Sequence, residues 1–274
     1  MGHWLDRAPP TQLETHYGDR RVRCFVERPA SLHAMLVEAV AHAPQREALI
    51  CSDRRLRWCE VDHEVSRLAG GLAALGVAAG DRVALLLSNR AEFVLLLLAI
   101  ARLGAITVPL NIREQTPELA YALAQCGAVA LVFDADLAAR LPDVSDVPAL
   151  RQRIAVGGSA AGTPRYDTLR AAPARHDVSP VREDDVAAIL YTSGTTGRPK
   201  GAMLTHLGIV HSALHYLHAM HLTETDRCIA AVPLSHVTGL VAMIAAMLAC
   251  RGTLIVMNAR SRPPTSCVWL YASA

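Results

Sequence analysis

The chain has 274 residues, of which 52% are hydrophobic and 19% charged, and its formal net charge at pH 7 is +2. This composition predicts a folded protein with a sizeable core, in one large domain or two small ones, and excludes a disordered chain. A net charge so close to zero argues against nucleic acid or an anionic membrane as the binding partner.

Neither the cysteines nor the apolar segments indicate an exported or membrane-spanning protein. The seven cysteines are scattered, odd in number and without a Cys-x-x-Cys pair, which is typical of reduced thiols. The N-terminus contains acidic residues, among them Asp6 and Glu14, and lacks the apolar core segment of a signal peptide. Residues 93–110 are the most apolar, but Arg102 interrupts them, so we expect a buried helix and strand there. We therefore expect a soluble, cytoplasmic protein that is not transmembrane.

The start of the chain is expected to contain an arm, two helices and two short strands. Residues 1–30 are polar and rich in arginine without steady periodicity, and we interpret them as an irregular N-terminal arm. Ser31 is suited to cap a helix that Pro44 ends. Next come two short strands and a second helix, at residues 48–51, 56–58 and 61–75.

Residues 82–133 alternate between apolar strands and helical patterns. The elements expected are strand, helix, strand, helix and strand, at residues 82–87, 91–103, 105–109, 116–126 and 128–133. Because apolar strands that alternate with helices are buried on both faces, the pattern predicts an α/β fold with mostly parallel sheets flanked by helices. Residues 157–185, rich in Gly, Ala, Pro and Ser, are expected to form a surface linker.

A loop of small and hydroxylated residues is the most informative stretch of the sequence. An expected strand at residues 186–190 leads into residues 191–197, and a second strand is expected at residues 201–204. Gly194 and Gly197 allow successive backbone N–H groups to point into one concavity. Further hydrogen-bond donors come from hydroxyl and ammonium groups, on Thr192, Ser193, Thr195, Thr196 and Lys200. This combination suits a nucleotide triphosphate.

Two known phosphate-binding patterns are excluded for this loop. A Walker A loop requires a glycine five residues after Gly194, where this chain has Pro199. A Gly-x-Gly-x-x-Gly dinucleotide fingerprint does not occur here either. From the residues alone, a flexible hairpin turn with a solvated lysine remains the alternative.

The string Tyr-Thr-Ser-Gly-Thr-Thr-Gly-Arg-Pro-Lys-Gly at residues 191–201 resembles, nearly letter for letter, the signature loop of the AMP-forming acyl-adenylate synthetases. That superfamily includes acyl-CoA synthetases, the adenylation domains of peptide synthetases, and luciferases. Residues 80–84 and 108–111 also resemble the family's early subdomain, so the resemblance covers roughly residues 32–257. It implies that the phosphates of Mg-ATP are held by Thr192, Ser193, Gly194, Thr195, Thr196, Gly197 and Lys200.

A second motif, at residues 233–239, contains a candidate catalytic histidine. Pro233 ends an expected strand at residues 228–232, and a small-residue turn presents His236 before an apolar helix expected at residues 240–250. From the residues alone, the motif is typical of a capped helix start with a hydrogen-bonded histidine. By resemblance it is the family's second core motif, which implies that His236 and Gly239 border the substrate carboxylate in the acyl pocket.

Five histidines fall within residues 206–221. His211, His215 and His218 share one helical face, which is a geometry that zinc or nickel could use. We favour a solvated histidine face instead, because no Asp or Glu lies within residues 206–221 to complete a site. No metal site is therefore predicted.

The resemblance implies a two-step ligase that uses ATP, Mg²⁺ and coenzyme A. A carboxylic acid, expected to be a fatty or other apolar acid, attacks the α-phosphorus of Mg-ATP to give acyl-AMP and pyrophosphate, and the thiol of coenzyme A then displaces AMP. The family's later Tyr-Gly-x-Thr-Glu and Thr-Gly-Asp strings are not found in this chain. We therefore expect residues 31–257 to be a partial AMP-binding domain, residues 258–274 to be an atypical tail, and the chain alone to be inactive as a ligase.

Two other functions remain open. One is a fragment of an amino-acid adenylation domain, which differs from the leading hypothesis mainly in the residue that recognises the amino group. The other is an inactive chain that binds nucleotide phosphate or pairs with another polypeptide. An incomplete sheet would expose apolar surface and a strand edge, which predicts self-association.

Overall fold

The strands assemble into a six-stranded sheet, a four-stranded sheet and a separate hairpin. The computed structural model describes residues 9–192 and 198–257. The strands are β1 (Thr11–His16), β2 (Arg20–Phe25), β3 (Glu47–Cys51), β4 (Arg54–Arg57), β5 (Arg82–Leu86), β6 (Ile106–Pro109), β7 (Ala130–Asp134), β8 (Gln152–Val156), β9 (Val186–Thr192), β10 (Lys200–Thr205), β11 (Arg227–Ala230) and β12 (Thr253–Val256). The α-helices are α1 (Leu32–His42), α2 (Trp58–Ala74), α3 (Ala91–Arg102), α4 (Thr116–Cys126), α5 (Tyr166–Ala171), α6 (His206–Ala219) and α7 (Ala246–Cys250).

Both larger sheets are mostly parallel. The six-stranded sheet has the order β10-β9-β6-β5-β7-β8, and only its β10–β9 pair is antiparallel. The four-stranded sheet has the order β11-β12-β3-β4, and only its β3–β4 pair is antiparallel. The predicted α/β fold with mostly parallel sheets flanked by helices is confirmed.

Helix α3 forms the centre of the main core. It packs against α1, α2, β3 and β6, and all but one of its residues are buried. This explains its sequence, Ala-Glu-Phe-Val-Leu-Leu-Leu-Leu-Ala-Ile-Ala-Arg, which is apolar around the whole helix. Within the described residues, no helix combines the length and the apolarity needed to cross a membrane.

A second core covers the other face of the six-stranded sheet. Alternate residues of β7 divide between the two cores, with Val132 facing α3 and Phe133 packing beside Leu119 and Leu123 of α4. The alternation follows from the strand period of two. Helix α4 therefore lies on the opposite side of the sheet from α3.

Several predicted element ends are confirmed. The Ser31 hydroxyl accepts a hydrogen bond from the Ala34 N–H at 3.1 Å, and so caps α1. The residues that follow α2, α3 and α4 include Gly76, Gly104 and Gly127, each with a positive φ. Helix α4 begins at Thr116 as expected, and Gln115 is its N-cap.

Residues 11–25 correct the expectation of an irregular arm at residues 1–30. Strands β1 and β2 pair in antiparallel register from Thr11 opposite Phe25 to His16 opposite Arg20. Most of their side chains are exposed, so the strands lack the alternation that would have indicated them in the sequence. Arg28 ties this hairpin to the rest of the fold, since its guanidinium bonds to both Glu14 and Glu183 at 2.6 Å.

Residues 157–185 are only partly the predicted linker. They contain the short helix α5, whose Tyr166 and Leu169 are buried. The helix can lie close to α2 because Gly70 and Gly71 have no side chain. A Cβ at position 70 would overlap the Pro173 carbonyl, and one at position 71 would overlap the backbone of Leu169.

His33 predicts a pH-dependent loss of stability. Its side chain is buried in α1, neither ring nitrogen has a hydrogen-bond partner in the described part of the chain, and burial beside Arg102 lowers its pKa to about 4. The unfolded imidazole titrates near 6.5, so between pH 6.5 and 4 the unfolded chain binds more protons and the folded state loses stability as the pH falls.

Replacing the histidine tests this assignment. Between pH 7 and 4, we expect His33→Leu to lose about 3 kcal/mol less of its free energy of unfolding than the unsubstituted chain does. Urea unfolding at a series of pH values measures this slope. Met35→Leu, a size-conserving change at a neighbouring buried position, should leave the slope as it is. Equal slopes in His33→Leu and the unsubstituted chain would contradict the assignment.

Candidate functional site

Strands β9 and β10 hold the two ends of the predicted phosphate loop. Thr192 lies opposite Lys200 in the antiparallel register, and the Thr192 hydroxyl donates to the Lys200 carbonyl at 3.4 Å. Both side chains are exposed. Five of the predicted phosphate ligands, Ser193, Gly194, Thr195, Thr196 and Gly197, lie outside the described residues, so their role stays a prediction.

Helix α4 contacts the chain on both sides of this loop. On the β9 side, the Tyr191 hydroxyl bonds to Gln125 Oε1 at 2.6 Å and lies 3.1 Å from the Ala122 carbonyl oxygen. On the other side, the Arg198 guanidinium lies 5.5 Å from the centre of the Tyr121 ring, within cation–π range. Tyr191 and Arg198, on either side of the predicted loop, therefore both lie against the same helix.

The rarity of lysine in this chain is a further indication that Lys200 has a specific role. It is the single lysine of a chain whose lysines and arginines total 27. An ammonium is a compact point charge on a flexible stem, whereas a guanidinium is a planar fork, so the two are not interchangeable at a phosphate. The lysine stands at the position where the predicted site requires a mobile positive charge.

The turn at residues 231–239 follows β11 in the four-stranded sheet. Its backbone is well fixed, because the His236 N–H donates to the Pro233 carbonyl at 3.2 Å and the Leu240 N–H donates to the His236 carbonyl at 3.0 Å. Leu234 is buried in the main core, whereas the side chain of His236 is exposed. The fold thus presents the imidazole of the predicted catalytic residue at the surface of a rigid turn.

Gly239 has a packing role in this turn. A Cβ there would lie 2.5 Å from the Pro233 carbonyl oxygen and 2.6 Å from Leu234 Cα. The backbone of residue 239 therefore fits against the turn only without a side chain. The helix that follows also differs from the prediction. Residues Thr238–Ala245 form a π-helix before α7, and such segments often occur at functional sites.

A cavity of about 810 Å³ lies between β10 and the turn that carries His236, and neither Lys200 nor His236 is among its lining residues. Met203 and Leu204 of β10, three and four residues after Lys200, line one wall, and Val237 and Thr238, which follow His236, line another. Its floor comes from α6 and the π-helix, and Tyr17 and Arg20 of the N-terminal hairpin reach its rim. The structure thus places the second half of β10 and the residues that follow His236 around one mainly apolar space.

The histidine face of α6 packs against the N-terminal hairpin instead of being fully solvated. The ring of Phe25 lies 4.9 Å from His211, 4.9 Å from His215 and 5.6 Å from His218, measured between ring centres. The Phe25 N–H also donates to His211 Nε2 at 3.2 Å. Burial lowers the pKa of His211, which keeps this nitrogen an acceptor.

One group of three candidate metal ligands occurs within the described residues, and it is an ion-pair cluster. Glu14, His16 and Cys24 have ligand atoms within 4.8 Å of one another. However, Glu14 bonds to Arg28, and the ring nitrogens of His16 bond to Glu14 at 3.2 Å and to Asp184 at 2.7 Å. Burial opposes protonation of His16, but its hydrogen bonds to Asp184 and Glu14 outweigh burial and raise its pKa.

The chain belongs to the AMP-binding enzyme family, whose sequence model matches residues 36–272. A feruloyl-CoA synthase of Amycolatopsis is 36% identical over 232 residues, which cover 85% of this chain and 45% of that protein. The long-chain-fatty-acid–CoA ligase FadD13 of Mycobacterium tuberculosis is 32% identical over 228 residues, which cover 81% of this chain and 44% of that protein. The chain therefore spans about half the length of the curated relatives it matches.

Solved structures of the same kind share the fold. The N-terminal domain of FACL13 from Mycobacterium tuberculosis, bound to an inhibitor, superimposes with a TM-score of 0.74 at 30% identity, over 88% of this chain and 59% of that one. The anthranilate CoA ligase AuaEII in complex with anthranoyl-AMP gives a TM-score of 0.79 at 24% identity, over 89% of this chain and 48% of that one.

The close approach at Gly239 predicts a destabilised variant. Because a Cβ would meet backbone atoms that cannot rotate away, we expect Gly239→Ala to lower the free energy of unfolding by about 1–3 kcal/mol. Gly208→Ala is the matched control, since its Cβ would lie 3.4 Å from the Thr205 hydroxyl oxygen within α6, and alanine favours a helix. Urea unfolding compares the two variants, and equal stabilities would contradict the packing role of Gly239.

Proposed function

We propose that this chain supplies the phosphate-binding and acid-binding elements of an AMP-forming acid–CoA ligase. Such an enzyme activates a carboxylic acid with Mg-ATP as acyl-AMP, releasing pyrophosphate, and then transfers the acyl group to the thiol of coenzyme A. The observation that carries the proposal is the apolar cavity between β10, the strand that begins at Lys200, and residues 237–238, which follow His236. Family membership and the acid–CoA ligases among the relatives support it.

The chemistry of the residues around Lys200 fits a nucleotide phosphate. The exposed ammonium can move to the β- and γ-phosphates, and the Thr192 hydroxyl at the opposite register position can donate a further hydrogen bond. A charge-assisted hydrogen bond contributes about 1.5–3 kcal/mol. Ser193 to Gly197 are the remaining donors that we propose for this site. Magnesium, when bound to the nucleotide, would shield the phosphate charge.

The reaction brings an anionic carboxylate toward an anionic phosphate chain, so positioning and charge stabilisation should supply most of the catalysis. We assign Lys200 the stabilisation of the charge that develops on departing pyrophosphate. We assign His236 a place beside the carboxylate, where its exposed imidazole, next in the chain to the cavity-lining Val237, can orient the acid. Gly239 supports this place through the packing of the turn.

The acid should have an apolar body. The cavity wall includes Ile209, Val241 and Val186, and its volume falls within the usual range for small-molecule sites, about 300–1,000 Å³. The relatives include ligases named for a ferulic acid and for long-chain fatty acids, which share a carboxylate on an apolar body. We therefore propose an aromatic or fatty acid as the substrate class.

The single lysine permits a direct test of the phosphate site. Pyridoxal 5′-phosphate followed by borohydride labels accessible amines, so Lys200 is the one ε-amine that can react, and mass spectrometry separates it from the N-terminal amine. We expect Mg-ATP to slow labelling of Lys200 at least fivefold. Arg55→Lys places a control amine on the exposed, distant β4, where Mg-ATP should give no protection. Equal protection of both lysines, or of neither, would refute the site.

Turnover tests the ligase function itself. Pyrophosphate release from Mg-ATP is measured with ferulate, benzoate, octanoate, palmitate and a set of amino acids. Release that depends on an apolar acid and that falls roughly 10- to 100-fold in Lys200→Ala would support the proposal. Release with amino acids would favour an adenylation domain instead. Protection of Lys200 without any release would restrict the function of this chain to phosphate binding.

A further inference from the structure

We infer that Asn89 is a positioning residue that fixes the turn presenting His236. The effect of Asn89 on acid binding rests on the proposed function of His236. Its effect on the backbone of the turn can be tested separately. Asn89 belongs to neither of the motifs that the sequence singled out, and it lies in the loop that follows β5.

The loop that carries Asn89 is itself held firmly. The Ser88 N–H donates to Asp134 Oδ2 at 2.8 Å, and Asp134 is the last residue of the neighbouring strand β7. The Arg90 guanidinium bonds to the other oxygen of Asp134 and, at 2.9 Å, to Glu92. Asn89 therefore stands between two residues that are tied to the same carboxylate, so its Cα has little freedom to move.

The side-chain amide of Asn89 makes three hydrogen bonds to the backbone around the turn. Its Nδ2 donates to the Val232 carbonyl at 2.8 Å and to the Ala230 carbonyl at 3.3 Å. Its Oδ1 accepts from the Leu234 N–H at 2.9 Å. These bonds connect the six-stranded sheet to the end of β11 in the four-stranded sheet. They also decide the orientation of the amide, since a flipped group would set its NH₂ against the Leu234 N–H.

Few other side chains could replace this amide. An aspartate could accept from the Leu234 N–H but would set a carboxylate oxygen against the carbonyls of Ala230 and Val232. A serine is too short to reach both sides, and an alanine makes no hydrogen bond. The requirement for a donor and an acceptor on one short side chain explains why asparagine stands here.

The consequence for His236 is a rigid backbone beneath an exposed ring. Asn89 holds residues 230–234 on one side, while the hydrogen bonds of His236 to Pro233 and from Leu240 hold the other. The backbone that carries the imidazole therefore does not have to become ordered when an acid binds. Since ordering a loop on binding costs conformational entropy, loss of the Asn89 amide should weaken acid binding more than nucleotide binding.

Hydrogen exchange tests whether the Asn89 amide fixes the turn, and it requires no catalytic activity. In Asn89→Ala we expect the Leu234 amide to exchange at least tenfold faster, while peptides from β5 and β7 keep their rates. Asn89→Asp keeps an acceptor for the Leu234 N–H but lacks the donor to the Ala230 and Val232 carbonyls, so its Leu234 exchange rate should fall between those of Asn89→Ala and the unsubstituted chain. Val147→Ala, a buried truncation in the second core, controls for a general loss of stability and should leave the Leu234 amide unaffected. Unchanged exchange in Asn89→Ala would overturn the inference.

Steady-state kinetics test the positioning role. In a turnover assay with the preferred acid, Asn89→Ala should raise the acid KM at least tenfold and leave the KM for ATP within twofold. In the double variant Asn89→Ala, His236→Gln, the increase in the acid KM should be clearly less than the product of the two single increases, because both changes disturb the same contact with the acid. An acid KM that does not move, or equal changes in both KM values, would overturn positioning. A chain that turns over no acid is the outcome expected of a partial AMP-binding domain. The proposed function would then be tested by the labelling of Lys200, and the exchange rates would decide the role of Asn89.

Discussion

The burial of α3 between the two sheets is the interaction on which the rest of the structure depends. Its apolar surface faces helices on one side and strands of both sheets on the other, so neither sheet could pack as it does without this helix. The helix ends at Arg102, which is 3% exposed and is neutralised by Asp62 and hydrogen-bonded to Ser66. The charge at the end of an apolar helix is thus accommodated by two side chains of α2 and by the Arg175 carbonyl, at 3.3 Å.

This packing brings together loops that are distant in the chain. The loop after β5 approaches the turn after β11, and the contact between Asn89 and Leu234 joins residues 145 positions apart. Helix α4, on the opposite face of the same sheet, contacts Tyr191 and Arg198, the residues on either side of the predicted phosphate loop. The two proposed halves of the site therefore depend on the two cores, one on each face of the six-stranded sheet.

The two residues proposed to contact substrate share one structural feature. Lys200 and His236 both have exposed side chains on backbone that is hydrogen-bonded on either side. Such groups are ready to meet a charged ligand, because only a side chain has to be ordered when the ligand binds. The buried histidines behave in the opposite way. His33 and His206 are kept neutral by burial, which lowers the pKa of each, and they serve the core.

The elements whose burial repeats at short range can be predicted from the residues alone: the apolar strands, the helices with their capping serine and glycines, and the motif that identifies the family. The sequence could not determine contacts between distant residues. The N-terminal hairpin was missed because its exposed strands carry no alternation, and the histidine face of α6 was misjudged because Phe25 comes from that hairpin. A local pattern records which residues are buried, whereas only the tertiary structure decides what they are buried against. For Asn89, whose partners are backbone atoms more than a hundred residues away, no local pattern exists to be read.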